Sequence, residues 1–187
     1  MSSGKWPQPD ERPDPLPRAS GLLTGVFIAV VVVGLLMTLV FRGQDVAVAV
    51  EGRPAPDFSV TLFDGSQFSL SDHLSGDGRP IVLNLWASWC APCRAEIPEI
   101  SRWAVDNTDV YVLGMAVEDV EADARDLADE LEPSYDLGIG DSEFRSSYPS
   151  IGLPATYILD ENGKVIELIN GTVTEESLDS VFAATAG

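Results

Sequence analysis

The two cysteines of the chain, Cys90 and Cys93, are separated by two residues and directly follow an apolar run at 81–86. The next segment, 91–105, is rich in residues that favour a helix, so the pair lies where a strand passes into a helix. Backbone N–H groups and the helix dipole stabilise an anion at that position, which lowers the pKa of a thiol below about 8.5. Cys90 is therefore the candidate nucleophilic thiolate. Cys93, one turn further along the helix, is close enough to form a disulfide with it and so to store two electrons.

The same spacing also occurs in zinc sites and in structural disulfides. A closed zinc site needs four Cys or His ligands, and the sequence offers only His73 besides the two cysteines. A structural disulfide stabilises more as its loop grows longer, and this pair would close only a minimal loop. We therefore interpret the pair as redox-active, and we expect neither a metal nor a cofactor.

Two segments of the chain resemble one known family. Residues 86–98, Trp-Ala-Ser-Trp-Cys-Ala-Pro-Cys-Arg-Ala-Glu-Ile-Pro, resemble the active-site segment of the TlpA/ResA-like thiol-disulfide oxidoreductases. These are membrane-tethered proteins of the thioredoxin fold, and they include the cytochrome c maturation reductases. Residues 152–160, with the turn at 161–164, are similar to the family's cis-proline loop and the hairpin after it. The resemblance extends over about residues 54–184 and implies a three-layer thioredoxin-like α/β fold with an N-terminal β-hairpin.

Glu96 follows Cys93 by three residues, so its carboxylate lies on the same face of the predicted helix. The residues alone leave two roles open, an acid–base group for Cys93 or a first-turn glutamate that interacts favourably with the helix dipole. The resemblance implies the first role, because a glutamate at this offset is an active-site residue in ResA-like proteins. It also implies that Trp89 flanks the nucleophile where a substrate docks. The Leu153–Pro154 peptide would be cis, which turns the backbone of Leu153 towards the disulfide and lets it pair with an extended substrate segment.

The pattern around these motifs is that of an α/β domain. Apolar runs at 81–86 and 110–117 flank the helix at 91–106, which indicates parallel strands joined by a right-handed crossover. Residues 118–132 have apolar positions at helical spacing, and a last helix opens at 174–176. Pairs of alternating segments around Asp-Gly and Asn-Gly turns predict two β-hairpins, 58–62 with 67–70 and 156–159 with 165–169.

The N-terminal part of the chain differs in composition from the rest. Residues 1–20 contain five prolines among charged and small residues and are predicted to be disordered. Residues 21–41 carry no charge and would span about 31 Å as a helix, which predicts a transmembrane helix. Residues 42–55 would then be a tether, and residues 56–187 the thioredoxin-like domain.

A cleaved signal peptide is the alternative to a retained anchor, since Ala47-Val48-Ala49 has the small-x-small pattern of a cleavage site. The apolar run is longer than the usual signal peptide, which favours the anchor. Basic residues on the two sides of the run differ little in number and lean towards an N-terminus inside the cell. That orientation places the domain outside the cytoplasm, as the family resemblance also implies.

The sequence has 11 basic and 30 acidic residues, so its net charge is −19. This charge argues against a nucleic-acid-binding protein. We interpret the acidic residues as a solvated surface, with steering of a basic partner as the alternative. His73 lies in a polar segment and is predicted to be surface structure rather than a catalytic group. Trp86 is predicted to lie in the core.

The function predicted from these residues is a membrane-anchored oxidoreductase that cycles Cys90 and Cys93 between dithiol and disulfide, with Glu96 serving Cys93. By resemblance it would reduce protein disulfides such as that of apocytochrome c outside the cytoplasm, with an integral-membrane thiol carrier of the CcdA/DsbD type as donor. Three alternatives remain, an oxidant of folding proteins, a peroxiredoxin-like thiol peroxidase and a non-catalytic tethered binding module, which would have no need of the thiol pair. A peroxiredoxin carries a threonine three residues before its reactive cysteine, where this chain has Ala87.

Overall fold

The computed structural model describes residue 25, residues 27–33 and residues 48–185. Contacts between residues divide the chain into two compact units, 1–45 and 46–187. In the first unit, residues 27–33 are helical. None of the helices in the described ranges is both long enough and apolar enough to cross a membrane.

The predicted tail at 1–20 and most of the predicted transmembrane segment at 21–41 lie outside the described residues. Both therefore stay predictions.

The second unit contains a short β-hairpin, a five-stranded mixed sheet and the helices that cover it. The strands are β1 (Ser59–Thr61), β2 (Gln67–Ser69), β3 (Ile81–Trp86), β4 (Tyr111–Ala116), β5 (Asp136–Ile139), β6 (Ala155–Leu159) and β7 (Val165–Asn170). The helices are α1 (Leu70–Gly76), α2 (Ala91–Asp106), α3 (Glu121–Leu131), α4 (Ser142–Ser147) and α5 (Glu175–Thr185).

The strand order in the sheet is β5-β4-β3-β6-β7, with β3, β4 and β5 parallel and β6 and β7 antiparallel to their neighbours. The predicted βαβ unit is thus confirmed, as is the hairpin β6–β7. Because β6 runs against β3, Ala155 at its start pairs with Leu85 near the end of β3. This pairing brings the loop before β6 to the edge of the sheet where α2 begins.

Strand β3 is the middle strand of the sheet, and every residue in it is buried. Its side chains alternate between the two faces, as strand geometry requires. Val82 and Trp86 pack with residues of α2, α3 and α5, while Leu83 and Leu85 pack with residues of the hairpin β1–β2, α1 and α4. The sheet is therefore covered on both sides, which gives the three layers predicted. Each fully buried Leu or Val of this strand contributes about 1.5–3 kcal/mol of hydrophobic stabilisation.

Part of the predicted tether at 42–55 packs on the domain. The backbone N–H of Ala49 donates to the carbonyl of Ser147 at 2.7 Å, and that of Gly52 donates to Val165 at 2.8 Å. Ala49 is itself buried. Backbone groups that leave water need such partners, so residues 49–55 belong to the folded unit and do not act as a free spacer.

The prediction that His73 is surface structure is wrong. Its ring is buried beside Phe68 and Tyr111, with ring centroids 5.7 and 4.9 Å away. Its Nε2 lies 2.9 Å from the carbonyl oxygen of Arg79. The aromatic neighbours come from β2 and β4, so the burial of His73 depends on tertiary contacts that its own polar segment does not reveal. Trp86 is fully buried, as predicted.

Candidate active site

The two cysteines form a disulfide at the start of α2, with their Cα atoms 5.3 Å apart. Cys90 is the N-cap residue of the helix, and its sulfur accepts a hydrogen bond from the backbone N–H of Cys93 at 3.2 Å. Pro92 lies in the first turn, where its missing N–H leaves no helical hydrogen bond unmade. Cys90 retains a small exposed fraction, 4%, and Cys93 has none. An incoming group therefore reaches Cys90 first.

Glu96 lies one turn beyond Cys93 on the buried face of α2, with only 2% of its surface exposed. One carboxylate oxygen accepts from Nδ2 of Asn84 at 2.8 Å, and the other accepts from the backbone N–H of Val173 at 2.9 Å. Nδ2 of Asn84 also donates to Oγ1 of Thr156 at 3.1 Å. The carboxyl group is thus held by β3 and the segment before α5, while Thr156 of β6 holds Asn84.

Burial raises the pKa of Glu96 from 4.5 to about 7, because the charged form loses its hydration. The hydrogen bonds from Asn84 and Val173 act in the opposite direction and only partly offset burial. A carboxyl group with this pKa exchanges a proton near neutral pH. Its place on the helix, one turn from Cys93, suits it to take the proton of that thiol.

Trp89 lies at the rim of the site, with 63% of its surface exposed. Its indole N–H donates to the carbonyl oxygen of Glu118 at 3.0 Å. The preceding residue, Ser88, donates from its hydroxyl to the carboxylate of Asp119 at 2.8 Å, and its backbone N–H donates to the same carboxylate. The turn that follows β4 thus fixes the two residues before Cys90. It holds the indole ring of Trp89 exposed to solvent beside the nucleophile.

The loop before β6 supplies the opposite rim. The Leu153–Pro154 peptide is cis, and Leu153 packs against the cluster that contains both cysteines. Pro154 is buried, and its carbonyl oxygen accepts from the backbone N–H of Gly171 at 2.9 Å. Ile151, at the outer end of the loop, is 93% exposed, while its backbone N–H donates to Oδ1 of Asn170.

The structure thus brings Cys90, Cys93 and Glu96 together on one helix, as the spacing predicts, with Leu153 packed beside the disulfide. Sequence reasoning missed the residues that hold Glu96, namely Asn84, Thr156 and the backbone of Val173. One signal was available. Asn84 is the one polar residue in the apolar run at 81–86, and a buried polar side chain requires a partner.

The arrangement suits thiol–disulfide exchange. It provides an approachable sulfur, a buried second sulfur within bonding distance, and a buried carboxyl group on the same helix face as the second sulfur. Within the described part of the chain, no cluster of three or more His, Cys, Asp or Glu side chains is arranged to hold a metal ion.

Comparisons with known proteins agree with this chemistry. The model of the AhpC/TSA family matches residues 51–168. The thioredoxin-like protein YneN of Bacillus subtilis is 33% identical over 133 residues, which are 69% of this chain and 76% of that protein. The thiol-disulfide oxidoreductase ResA of Geobacillus kaustophilus is 28% identical over 157 residues, 82% of this chain and 88% of that protein.

A solved structure gives the same result for the fold. The crystal structure of a putative thiol:disulfide interchange protein DsbE from Chlorobium tepidum superposes with a TM-score of 0.67 at 25% identity. The match covers 74% of this chain and 99% of that one. The fold is therefore thioredoxin-like.

Proposed function

The chain belongs to the AhpC/TSA family as a TlpA/ResA-like thiol-disulfide oxidoreductase of the thioredoxin superfamily, and we propose that it reduces protein disulfides outside the cytoplasm while tethered to a membrane. The observation that carries this proposal is the buried carboxyl group of Glu96, which has a pKa of about 7 and lies one helical turn from the fully buried Cys93. In this proposal, that carboxyl group accepts the proton of Cys93 without contact with water.

The proposed cycle starts with both cysteines reduced. The Cys90 thiolate attacks one sulfur of the substrate disulfide, so that a mixed disulfide forms and the other substrate sulfur leaves as a thiolate and takes up a proton. Cys93 then gives its proton to Glu96 and attacks the sulfur of Cys90. The second substrate sulfur leaves and is protonated. The substrate ends as two thiols, and the two electrons that it gained come from the pair, which ends as a disulfide.

The substrate we propose is a disulfide in an extended protein segment. Trp89 on one rim and Ile151 on the other are both largely exposed, and hydrogen bonds hold the Trp89 side chain and the Ile151 backbone. An extended segment lying between them would contact Leu153 and buried Pro154 beside the disulfide. Exposed apolar side chains on both sides of a reactive sulfur favour a polypeptide over a small disulfide, because they offer binding area that a small molecule does not use.

Apocytochrome c is the substrate that we propose within this class, because the TlpA/ResA-like proteins include the cytochrome c maturation reductases. A C-x-x-C-H segment must be reduced before haem is attached, and it presents its two sulfurs in one short stretch of chain. Electrons would come from an integral-membrane thiol carrier of the CcdA/DsbD type.

A Cys93→Ser variant tests the function directly. Cys90 in this variant still attacks a disulfide, but no second thiol releases the product, so the substrate stays attached. We expect adducts with cytochrome c precursors joined through a C-x-x-C-H cysteine. A broad set of secreted proteins would indicate a general reductase or isomerase instead. No protein adducts, with Cys90 reactive towards a small disulfide, would favour a peroxide-reducing enzyme.

The direction of electron flow has its own measurement, the reduction potential of the Cys90–Cys93 pair. A potential more negative than about −230 mV supports a reductant, whereas a value near −120 mV would indicate an oxidant of folding proteins.

The proposed location is the cell membrane, with one N-terminal anchor and the domain outside the cytoplasm. A reporter fused after Gly187 should be exported while the protein sediments with membranes. A soluble form that begins at Val50 would show that the chain is cut after Ala49.

A further inference from the structure

Arg145 lies in the last turn of α4, and its guanidinium group contacts the loop that leads to the cis peptide. Nη1 donates to the carbonyl oxygen of Tyr148 at 3.1 Å, and Nη2 donates to that of Ser150 at 3.5 Å. The planar guanidinium group carries several N–H donors, so one arginine can hold two points of a chain. Arg145 thus fixes the first part of the segment that ends at Leu153–Pro154.

The same guanidinium group also contacts the turn that carries the other rim of the site. Its Nε lies 3.5 Å from Oε1 of Glu118, and this is the one ion pair of Arg145 among the described residues. The backbone carbonyl of Glu118 accepts the hydrogen bond from the indole N–H of Trp89. Glu118 therefore holds Trp89 with its backbone and Arg145 with its side chain.

No second polar side chain connects these two segments. Within the described part of the chain, only Arg145 has hydrogen bonds or ion pairs with both the turn at 117–120 and the loop at 148–154. Arg145, Glu118 and Asp119 also line a cavity of about 650 Å³. Because this space is open, the Arg145–Glu118 pair is not one contact among many at this point.

The ordinary role for an arginine at this position is to cap α4, since a cation near the last carbonyl groups interacts favourably with the helix dipole. That role explains the bond to Tyr148, the C-cap residue, but not the contact with Glu118. Only 20% of the Arg145 side chain is exposed, and its Nε is buried without a hydrogen-bond partner among the described residues. The nearby carboxylate therefore compensates part of the lost hydration of the cation.

The backbone of Glu118 needs support from its surroundings. Its φ is 53°, in the left-handed region that residues other than glycine seldom adopt. Such a conformation persists where neighbouring contacts hold it. The hydrogen bond from Trp89 and the ion pair with Arg145 are two contacts of this kind.

We propose that Arg145 is a positioning residue for the docking of protein substrates. It acts on Trp89 through Glu118 and directly on the loop before β6, so that the two rims keep one separation in the free enzyme. A cleft that already has its bound form loses less conformational entropy when an extended segment binds. A small disulfide, which needs only the sulfur of Cys90, gains nothing from this. The inference rests on the proposed docking of an extended segment between the two rims.

Arg145→Lys tests the proposal, because it keeps the positive charge near the end of α4 and removes the planar fork. We expect kcat/KM for a protein disulfide to fall by about threefold to tenfold through a higher KM, with kcat and the rate with a small disulfide unchanged. Arg79→Lys is the matched control and should behave like the wild type. Arg79 also pairs with a carboxylate, that of Asp77, and donates to a backbone carbonyl, that of Thr108, but it precedes β3 and so lies at the opposite end of that strand from α2.

Nuclear magnetic resonance tests the connection in the oxidised protein without substrate. In Arg145→Lys, the indole N–H resonance of Trp89 and the backbone N–H resonance of Ile151 should both change chemical shift, whereas Arg79→Lys should change neither. A change at only one of the two would overturn the proposal, because Arg145 would then not connect the rims. A wild-type protein that reduces no protein disulfide would refute the proposed function instead, and the two resonances would still decide whether Arg145 connects the rims.

Glu118→Gln tests the connection from its other end, since it removes the charge and keeps the backbone carbonyl that holds Trp89. It should raise KM for the protein disulfide as much as Arg145→Lys does. The double variant should show no further loss, because two residues that act as one unit are not additive. Additive losses in folded variants, or kinetics of Arg145→Lys equal to those of the wild type, would overturn the proposal. The melting temperature of each variant shows that it is folded.

Discussion

The raised pKa of Glu96 comes from its burial and not from a charged neighbour. The loss of water around the carboxylate raises its pKa to about 7. The hydrogen bonds from Asn84 and Val173 lower the pKa and partly offset that rise. At neutral pH the group is therefore divided between its two protonation states. In the proposed cycle it accepts a proton from Cys93 in one half and returns it in the other.

Glu96→Gln should slow release of the substrate from the mixed disulfide much more than it slows the initial attack. Glutamine cannot accept the Cys93 proton, and loss of a general base typically costs a factor of about 10²–10⁴. Rapid-mixing kinetics that resolve the two phases measure the effect. Glu99→Gln, on the solvent-facing side of the same helix, is the matched control and should behave like the wild type. Unchanged turnover of Glu96→Gln across about pH 6–9 would exclude the acid–base role.

The pKa of Glu96 also makes the stability of the oxidised protein depend on pH. Because the native value of about 7 exceeds the unfolded value of 4.5, the native state binds more protons than the unfolded state between those pH values. The associated stability is present in full below pH 4.5 and is lost as the pH rises through about 7. The free energy of unfolding should fall by about 3 kcal/mol across this window.

Chemical denaturation at a series of pH values measures that fall. The difference between wild type and Glu96→Gln isolates it from other titrating groups, because the variant cannot release a proton at this position. A difference that stays constant from pH 4.5 to 7 would mean that the native pKa is not raised.

At the scale of the elements, the loop before β6 offers a test of substrate docking. Ile151, two residues before Leu153, is 93% exposed, and its backbone N–H donates to Asn170. Ile151→Ser should reduce kcat/KM for a protein disulfide by about tenfold, since loss of a well-placed apolar contact costs about 1–2 kcal/mol, and leave the rate with a small disulfide unchanged. Val105→Ser removes an equally apolar exposed side chain from α2 and serves as the control. Equal losses with both disulfides would indicate damage to the site and not to docking.

Helix α3 ends on a residue with an unfavourable backbone conformation. Glu132 at its C-terminus is left-handed, with φ of 45°, a region in which glycine is the usual residue. Glu132→Gly should raise the free energy of unfolding by about 0.5–1 kcal/mol, and the melting temperature by about 2–4 °C, because it relieves this strain. Asp129→Gly, one turn earlier in the right-handed part of the helix, should lower stability by a similar amount. Calorimetry on the two variants measures both the expected increase and the expected decrease in melting temperature.

The sequence predicted the elements that obey local rules and missed contacts between distant segments. Proline in the first turn, an apolar run and an Asn-Gly turn are local signals, and α2, β3 and the hairpin β6–β7 follow from them. The buried ring of His73 and the hydrogen bonds to Glu96 do not follow from local signals, because their partners lie on segments distant in the sequence. Thr156 and Val173 are 60 or more positions from Glu96 in the sequence, and their contact with the site depends on the strand order.

At the scale of the whole molecule, acidic residues outnumber basic ones, and the described arginines are largely occupied by carboxylates. The ion pairs are Arg79–Asp77, Arg94–Glu130, Arg102–Glu99, Arg102–Glu175, Arg125–Glu121 and Arg145–Glu118. The net charge of −19 thus comes from carboxylates that these arginines do not neutralise. Surface pairs of this kind contribute little stability, and the excess carboxylates set a negative field outside the protein.

That field should accelerate capture of basic substrates. For Cys93→Ser and a basic disulfide protein, the association rate should fall by a factor of ten or more as salt is raised from low to about 1 M, because screening shortens the Debye length to about 3 Å. An acidic substrate of similar size, which the same field repels, should show the opposite trend. Rates that do not depend on salt for either substrate would leave the charge as a solubility feature.

Cys93 is fully buried, and the sequence holds no cysteine beyond the pair. Donor and acceptor must therefore visit the same sulfur, that of Cys90, and they cannot do so at the same time. Steady-state kinetics with both varied should follow a double-displacement pattern, with parallel lines in double-reciprocal plots and each partner inhibiting competitively at high concentration. The turnover rate would then depend on the ratio of the two partners. It is greatest when neither the donor nor the acceptor occupies the single docking face for most of the time.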